Sequence, residues 1–381
     1  MTGRFDVVVV GCGPAGNLAA HGLAERGLRV AQLERERLPR VKVCGGGLTP
    51  KALAALPYDV SPVVHRRIVG GRVRVAGGVR IEVERADAGA MVERAEFDAF
   101  MAERGRRAGV ELVVGARVES VEDDGLRVRV GTSAGEFEGA LLVAADGARS
   151  TVRALRFPDW RPRWAFAIEG CWHWDGDGPD DATLLSRPVF DFDAIGRGYG
   201  WIFPKRDHFN VGIYRLARPR GEAGLRAALD AFARDAVLAG CAPRGLRGHP
   251  IPVADGRQPR SVGRTILVGD AAGLAEGVLG EGIAFALASG RMAADWVAAS
   301  LVGGAFRPRR SWDEAIAPLV DELRWSWRLA RLLYAVPPPL LRRVVASARA
   351  REAMLAMLHG ELGYRAAFWK LLRAAPRVVL R

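Results

Sequence analysis

Lysine is nearly missing from this sequence: Lys42, Lys51, Lys205 and Lys370 are the only four, and the rest of its 56 basic residues are arginine. Cysteine is scarce too, with four in 381 residues (Cys12, Cys44, Cys171 and Cys241), none of them in a CxxC pair or a histidine-rich stretch. This usage excludes a disulfide framework, gives no metal site, and is that expected of reduced thiols in the cytoplasm. No run of about eighteen apolar residues escapes interruption by charge, so no membrane-spanning helix is expected. The first apolar run leads directly into a glycine-rich loop, which argues against a signal peptide. Internal repeats and low-complexity tracts are also lacking. With 49% hydrophobic and 26% charged residues, the chain is globular and long enough for two or three domains.

Positive charge, by contrast, is in excess, at +13 overall. Residues 301–381 hold 15 basic against 6 acidic residues, so most of the excess lies in the last fifth of the chain. Such a surface suits nucleic acid, anionic lipid or an acidic substrate. No recognition helix, finger or RNP-like motif accompanies it, so nucleic acid is not expected as a partner.

The strongest pattern is at the start. Residues 5–10 (FDVVVV) form an apolar, β-branched run that predicts a buried parallel strand. Gly11-Cys12-Gly13-Pro14-Ala15-Gly16 follows, then a helix over 17–26 and a second strand over 28–33 that ends on Glu34. This strand–loop–helix–strand context gives a GxGxxG match its meaning as a dinucleotide site. Gly11 permits the tight turn, Gly13 lets backbone N–H groups approach a pyrophosphate, and Gly16 lets the helix pack close to the strand. The helix N-terminus favours the anion, and the Glu34 carboxylate is placed to accept from ribose hydroxyls.

Further along, Cys44-Gly45-Gly46-Gly47-Leu48 precedes a short helix entered through Thr49-Pro50. Alternation over 66–84 predicts a hairpin turning at Gly77-Gly78. A helix is expected over 94–108. A β-meander follows, with strands at 111–115, 117–122, 126–131 and 136–143, and it ends on Asp146-Gly147-Ala148-Arg149-Ser150. Residues 160–214 read as a second sheet and 221–238 as a helix. A parallel strand at 265–268 runs into Gly269-Asp270-Ala271-Ala272-Gly273, with a helix over 282–301. The tail from Trp312 reads as helical, interrupted by Pro337-Pro338-Pro339.

The order GCGPAG, DGARS, GDAAG resembles the glutathione-reductase-like FAD superfamily, in the branch shared by aromatic hydroxylases and geranylgeranyl reductases. Residues 39–48 (PRVKVCGGGL), 200–205 (GWIFPK) and 280–283 (GEGI) are similar to the geranylgeranyl reductase family, and the likeness spans roughly 5–300. The resemblance implies an α/β fold in three parts. These are a Rossmann-like FAD-binding domain with a β-meander (1–65, 93–155 and 255–300), a substrate domain with a mixed antiparallel sheet (66–92 and 156–254), and a helical C-terminal region (301–381). It implies an enzyme that reduces isoprenoid C=C bonds with reduced FAD. By position, FAD contacts fall on Ala15, Glu34, Cys44, Gly45, Gly47, Arg94, Val118, Asp270, Gly282 and Ile283, beside Gly11, Gly13, Gly16, Asp146 and Gly269. Arg94 would reach the phosphate or ribityl oxygens. Val118 serves either adenine, through its backbone, or the core.

Cys44 has two readings: a small buried apolar residue, or a neighbour of the isoalloxazine that donates a proton or orients a water. Three glycines after it let backbone approach a flat ring, and Lys42 would lower the thiol pKa if the two side chains meet. Tyr199, Trp201 and Phe203 share one strand face. They form either a core or, as the resemblance implies, a tunnel wall for a prenyl chain. Flavin halogenases carry Ile where Phe203 stands, which tells against halogenation. Only one dinucleotide fingerprint is present, so NAD(P)H or a ferredoxin-like protein must reduce FAD from outside. Trp312, Trp325, Trp327, Leu332, Leu333, Tyr334 and Trp369 are interleaved with arginine. They read either as a peripheral surface for anionic membrane or as a cover over the catalytic domain. The competing functions are a flavin monooxygenase acting on an aromatic or polyketide-like compound and a flavin-bearing membrane-surface protein without turnover.

Overall fold

The computed structural model describes the chain apart from residues 1, 76–78, 175–178, 180, 217–222, 235–237, 239–240, 255, 257, 303–304, 338, 341–342, 344–346 and 380–381. It opens on β1 (Thr2–Val10), α1 (Pro14–Ala24) and β2 (Val30–Glu34). A two-residue β3 (Gly47–Leu48) and α2 (Pro50–Ala54) precede a long pair, β4 (Val64–Val75) and β5 (Val79–Val92). Then come α3 (Arg94–Arg107), β6 (Glu111–Val114), β7 (Val118–Asp123), β8 (Val128–Thr132), β9 (Gly135–Ala144) and α4 (Thr151–Arg156). The middle of the chain supplies β10 (Arg163–His173), β11 (Val189–Asp191), β12 (Gly198–Pro204), β13 (His208–Arg215), α5 (Ala223–Phe232) and β14 (Ala242–Val253). Last are β15 (Ser261–Val262), β16 (Thr265–Leu267), α6 (Ile283–Ser300), β17 (Leu301–Val302), β18 (Ala305–Phe306), α7 (Trp312–Leu333), α8 (Ala348–His359) and α9 (Tyr364–Val379).

The first sheet runs β15-β16-β9-β1-β2-β6 and is parallel from β16 to β6. Val7, Val8 and Val9 of β1 are wholly buried, in one core with residues of α1, β8 and β9. The expected meander is shorter than the sequence pattern suggests. β7, β8 and β9 are joined as hairpins, but β6 lies beside β2 at the far edge, since α3 carries the chain over to a parallel position.

The second sheet runs β14-β10-β13-β12-β11-β4-β5-β3. β3 is its edge strand, pairing Gly47 with Met91 and Leu48 with Ala90, so the glycine segment after Cys44 is anchored to this sheet. The β4–β5 ladder extends well past the alternating stretch and absorbs two bulges. The Gly77-Gly78 turn lies outside the described residues. The expected helix over 221–238 is observed as the shorter α5, with residues on either side also outside them.

In the tail, Ser311 and Glu314 form a capping box that starts α7. Trp312 is 1% exposed and donates Nε1–H to the Leu267 carbonyl at 3.1 Å, while Tyr334 donates its hydroxyl to the Val278 carbonyl at 2.5 Å. Trp327 packs against Gly277. Trp312 is therefore a core residue, and Trp327 and Tyr334 pack half-buried against the core of the second sheet. Among the described residues, no helix is long and apolar enough to cross a membrane.

Candidate active site

The C-terminal ends of β1, β2 and β16 open on one cavity of about 760 Å³, closed on its other side by the second sheet. Gly11, Gly13, Ala15, Glu34, Cys44, Gly45, Gly47, Arg94, Val118, Asp146, Asp270, Gly282 and Ile283 line it, as do Lys42, Tyr199, Trp201 and Phe203. Gly16 and Gly269 do not. A Cβ on Gly16 would strike the Gly11 carbonyl oxygen. Gly269 has φ +54°, and a Cβ there would lie 2.9 Å from Ala15 Cβ. Both glycines serve close packing behind the loop instead of touching what binds in front of it.

The dinucleotide side fits FAD. Gly13 caps α1 without a side chain, and a Cβ there would meet nothing within 4 Å, so the loop presents bare backbone to the cavity. Glu34 accepts from Cys12 N–H (3.0 Å), Glu36 N–H (3.0 Å) and Arg40 Nε (3.1 Å), which leaves carboxylate lone-pair capacity for a ribose hydroxyl. Asp270 stands at the end of β16, with Gly282 and the N-terminus of α6 beside it. Asp146 borders the cavity, and its carboxylate also starts α4, accepting from Ser150 Oγ–H (2.5 Å) and Val152 N–H (3.1 Å).

Arg94 donates to both oxygens of Asp98 at 2.9 Å, and Asp98 also accepts from Arg40 at 3.1 Å. Burial opposes the charge on Arg94, yet Asp98 and the Cys44 sulfur beside it hold the guanidinium well above its usual pKa. Arg94 is thus the cation against the thiol. Lys42 turns instead to β14, its Nζ 2.8 Å from His249 Nε2. Burial, with Lys42 adding to it, pushes His249 down to about 3, so a neutral imidazole accepts from the lysine. Burial also lowers Lys42, against the pull of Asp270.

Gly45 and Gly46 are required by the protein's own packing. A Cβ on Gly45 would come within 2.9 Å of the Phe203 ring. Gly46 has φ +66°, and a Cβ there would run into the Val92 carbonyl oxygen and lie 2.6 Å from Lys205 Nζ. Fully buried Lys205 pins this segment, donating to the Gly45 carbonyl (2.7 Å) and the Val92 carbonyl (2.6 Å). The Cys44 N–H donates to Glu169 Oε1 at 2.7 Å.

Across the cavity stands an aromatic wall. Ring centroids lie 6.0 Å apart for Tyr199–Trp201 and for Trp201–Phe203, and Phe190 joins at 5.3 Å from Phe203. The Tyr199 hydroxyl donates to the Leu279 carbonyl and the Trp201 indole to Asn210 Oδ1, both at 2.7 Å. The polar tips are satisfied within the protein, and the wall itself is apolar.

Sequence reasoning missed Glu169 and the α8 side chains Met354, Leu355 and Leu358, which line the cavity, and Lys205, which pins the glycine segment behind it. A lone acid in the apolar strand 165–172 (AFAIEGCW) and one of only four lysines, inside GWIFPK, were the available signals. Away from the cavity, His173, Asp207 and His208 bring ligand atoms within 4.8 Å of one another, a cluster that cysteine spacing does not reveal.

Comparison with known proteins follows this geometry. The FAD binding domain family matches residues 4–157. The chloroplastic geranylgeranyl diphosphate reductase of Oryza sativa subsp. japonica is 31% identical over 380 residues, covering 93% of this chain and 78% of the rice protein. The chain belongs to the geranylgeranyl reductase family. It is an FAD-dependent oxidoreductase. A second relative of this geranylgeranyl reductase-family protein is the menaquinone reductase of Mycobacterium tuberculosis, 30% identical over 76% of each chain. A geranylgeranyl bacteriochlorophyll reductase-like structure from Thermoplasma acidophilum superposes with a TM-score of 0.78 at 22% identity, over 93% of this chain and 96% of that one. A flavin-dependent brominase shares the fold as well (TM-score 0.73, 19% identity, 98% of this chain and 100% of that one), so the fold alone does not select the reaction.

Proposed function

We propose that this reductase saturates C=C bonds in a geranylgeranyl-type isoprenoid chain. The observation that carries the reading is the apolar wall of Tyr199, Trp201, Phe203 and Phe190, facing the same cavity as the dinucleotide loop. A prenyl chain offers methyl groups and π bonds but no hydrogen-bonding groups, and this wall asks for none. The name of the rice relative supports the same substrate class.

FAD would be held by the backbone of residues 11–15, by Glu34, by Asp270 and by the α6 N-terminus at Gly282 and Ile283. When bound and reduced, it supplies a hydride. The wall binds the chain and excludes water, and its aromatic faces temper positive charge that develops as an isolated alkene is protonated. The proton comes from the polar end of the wall, where Cys44 and its partners sit. Electrons reach FAD from outside the chain, from NAD(P)H docking transiently or from a ferredoxin-like protein. The basic tail would bring the enzyme to an anionic membrane surface, where such substrates reside.

The test is anaerobic reduction of the purified yellow protein, then mixing with geranylgeranyl diphosphate or geranylgeraniol. The expected result is flavin reoxidation with product heavier by one H₂ per bond reduced. Reoxidation by oxygen alone, with hydroxylated aromatic product, would overturn the reading in favour of a monooxygenase.

A further inference from the structure

We propose that Glu169 is the acid that protonates the alkene carbon. The assignment rests on the alkene-reduction reading and names the group that completes it. Glu169 lies mid-strand on β10, is 8% exposed and lines the cavity together with the aromatic wall. The Cys44 main-chain N–H fixes its carboxyl group at 2.7 Å. The Asn210 side chain is near enough to favour its charged form, and the Asn210 oxygen accepts the Trp201 indole at 2.7 Å. The carboxyl is therefore registered both to the Cys44 segment and to the wall that would hold the chain. Cys44 contributes a backbone group that any residue at that position retains.

Its surroundings keep a proton on it near neutrality. Burial pushes Glu169 up to about 7, and Glu93 adds like charge, against the pull of the Cys44 N–H, Lys205 and Asn210. Arg247 pairs with Glu169 across β14, but its side chain is exposed. A neutral carboxylic acid in an apolar cavity is a proton source with little else to hydrogen-bond.

The step balances. The π pair of the C=C bond takes the Glu169 proton and forms one C–H bond, leaving a carboxylate. The other carbon takes a hydride, two electrons with its proton, from reduced FAD, which is oxidised. Glu169 regains a proton from solvent before the next turnover, and the external reductant restores the flavin.

The experiment follows reoxidation of the reduced holoenzyme by geranylgeranyl diphosphate in anaerobic stopped flow between pH 5.5 and 9. The wild-type rate should be level below about pH 7 and fall about tenfold per unit above it, because the protonated form is the active one. Glu169→Gln should slow reoxidation at least about 100-fold while flavin content and reduction by dithionite stay unchanged. Glu169→Asp should recover part of the rate, and Cys44→Ala should keep the wild-type pH profile. Independently of turnover, infrared difference spectra of the oxidised holoenzyme should show a protonated carboxyl band that titrates near 7 and is missing in Glu169→Gln. A wild-type profile flat to pH 9, a Glu169→Gln rate equal to wild type, or no such band overturns the assignment. A wild-type enzyme that no geranylgeranyl compound reoxidises overturns the reduction reading itself.

Discussion

Gly13 and Gly46 are both glycines of the cavity wall, and the structure requires them for opposite reasons. At Gly13 the backbone is ordinary, with φ −83°, and a methyl group would project into open space. Gly13→Ala should therefore leave the melting of the FAD-free protein within about 0.5 kcal/mol of wild type. It should weaken FAD at least about tenfold, as read by flavin fluorescence titration, because the methyl group occupies the place of the pyrophosphate. At Gly46 the positive φ, the Val92 carbonyl and Lys205 leave no room. Gly46→Ala should cost about 1–3 kcal/mol of stability with or without FAD. Equal losses for both variants would refute the distinction. The GxGxxG spacing marks the turn, but it does not say which glycine faces a ligand and which faces another strand. Gly269 packing behind the loop depends on Ala15, more than two hundred residues away. No local pattern carries that information.

Among the elements, α8 is the one whose role was least legible. The tail reads as helical from the sequence, but whether the apolar side chains of residues 348–359 meet a membrane, a core or a cavity is decided by α2 and β5, on which the helix rests. None of its side chains is fully buried. Its C-terminal end is tied to β5 by Arg85, which donates to Glu361 at 2.8 Å. Leu355 and Leu358 line the same cavity as the aromatic wall. Each half-buried leucine is worth about 1 kcal/mol against a prenyl chain. Leu358→Ala should thus raise KM for a geranylgeranyl substrate about fivefold with kcat little changed, since this contact is equal in the ground and transition states. A loss of kcat at unchanged KM would place α8 in the chemistry instead. The β1–α1–β2 unit, by contrast, was readable to within a few residues, because its period, its glycines and its length all describe the same local unit. β6 was not, since a row of four short strands looks the same whether hairpins or a helix join them.

For the whole molecule, the question is where a net charge of +13 is spent. The tail divides its aromatics: Trp312, Trp327 and Tyr334 turn inward, while Trp369 and Leu372 of α9 remain 43% and 41% exposed. Around them, Arg365, Lys370 and Arg373 are also exposed, and Trp325 lies under the guanidinium of Arg328. Apolar side chains rimmed by cations suit shallow seating among anionic headgroups, with the charge attracting and the indole anchoring. The holoenzyme should therefore co-sediment with vesicles containing phosphatidylglycerol but not with pure phosphatidylcholine, and moderate salt should weaken the binding because exposed charges are screened within about 10 Å at 0.1 M. The double variant Trp369→Ser, Leu372→Ser should weaken vesicle binding at least about tenfold through lost apolar burial alone. Its reoxidation by a short, water-soluble prenyl substrate should be unchanged, because among the described residues no side chain of α9 lines the cavity. Equal binding to neutral and anionic vesicles, or a double variant that binds like wild type, would mean that the arginines of the tail serve only to solvate the cover of the catalytic domain.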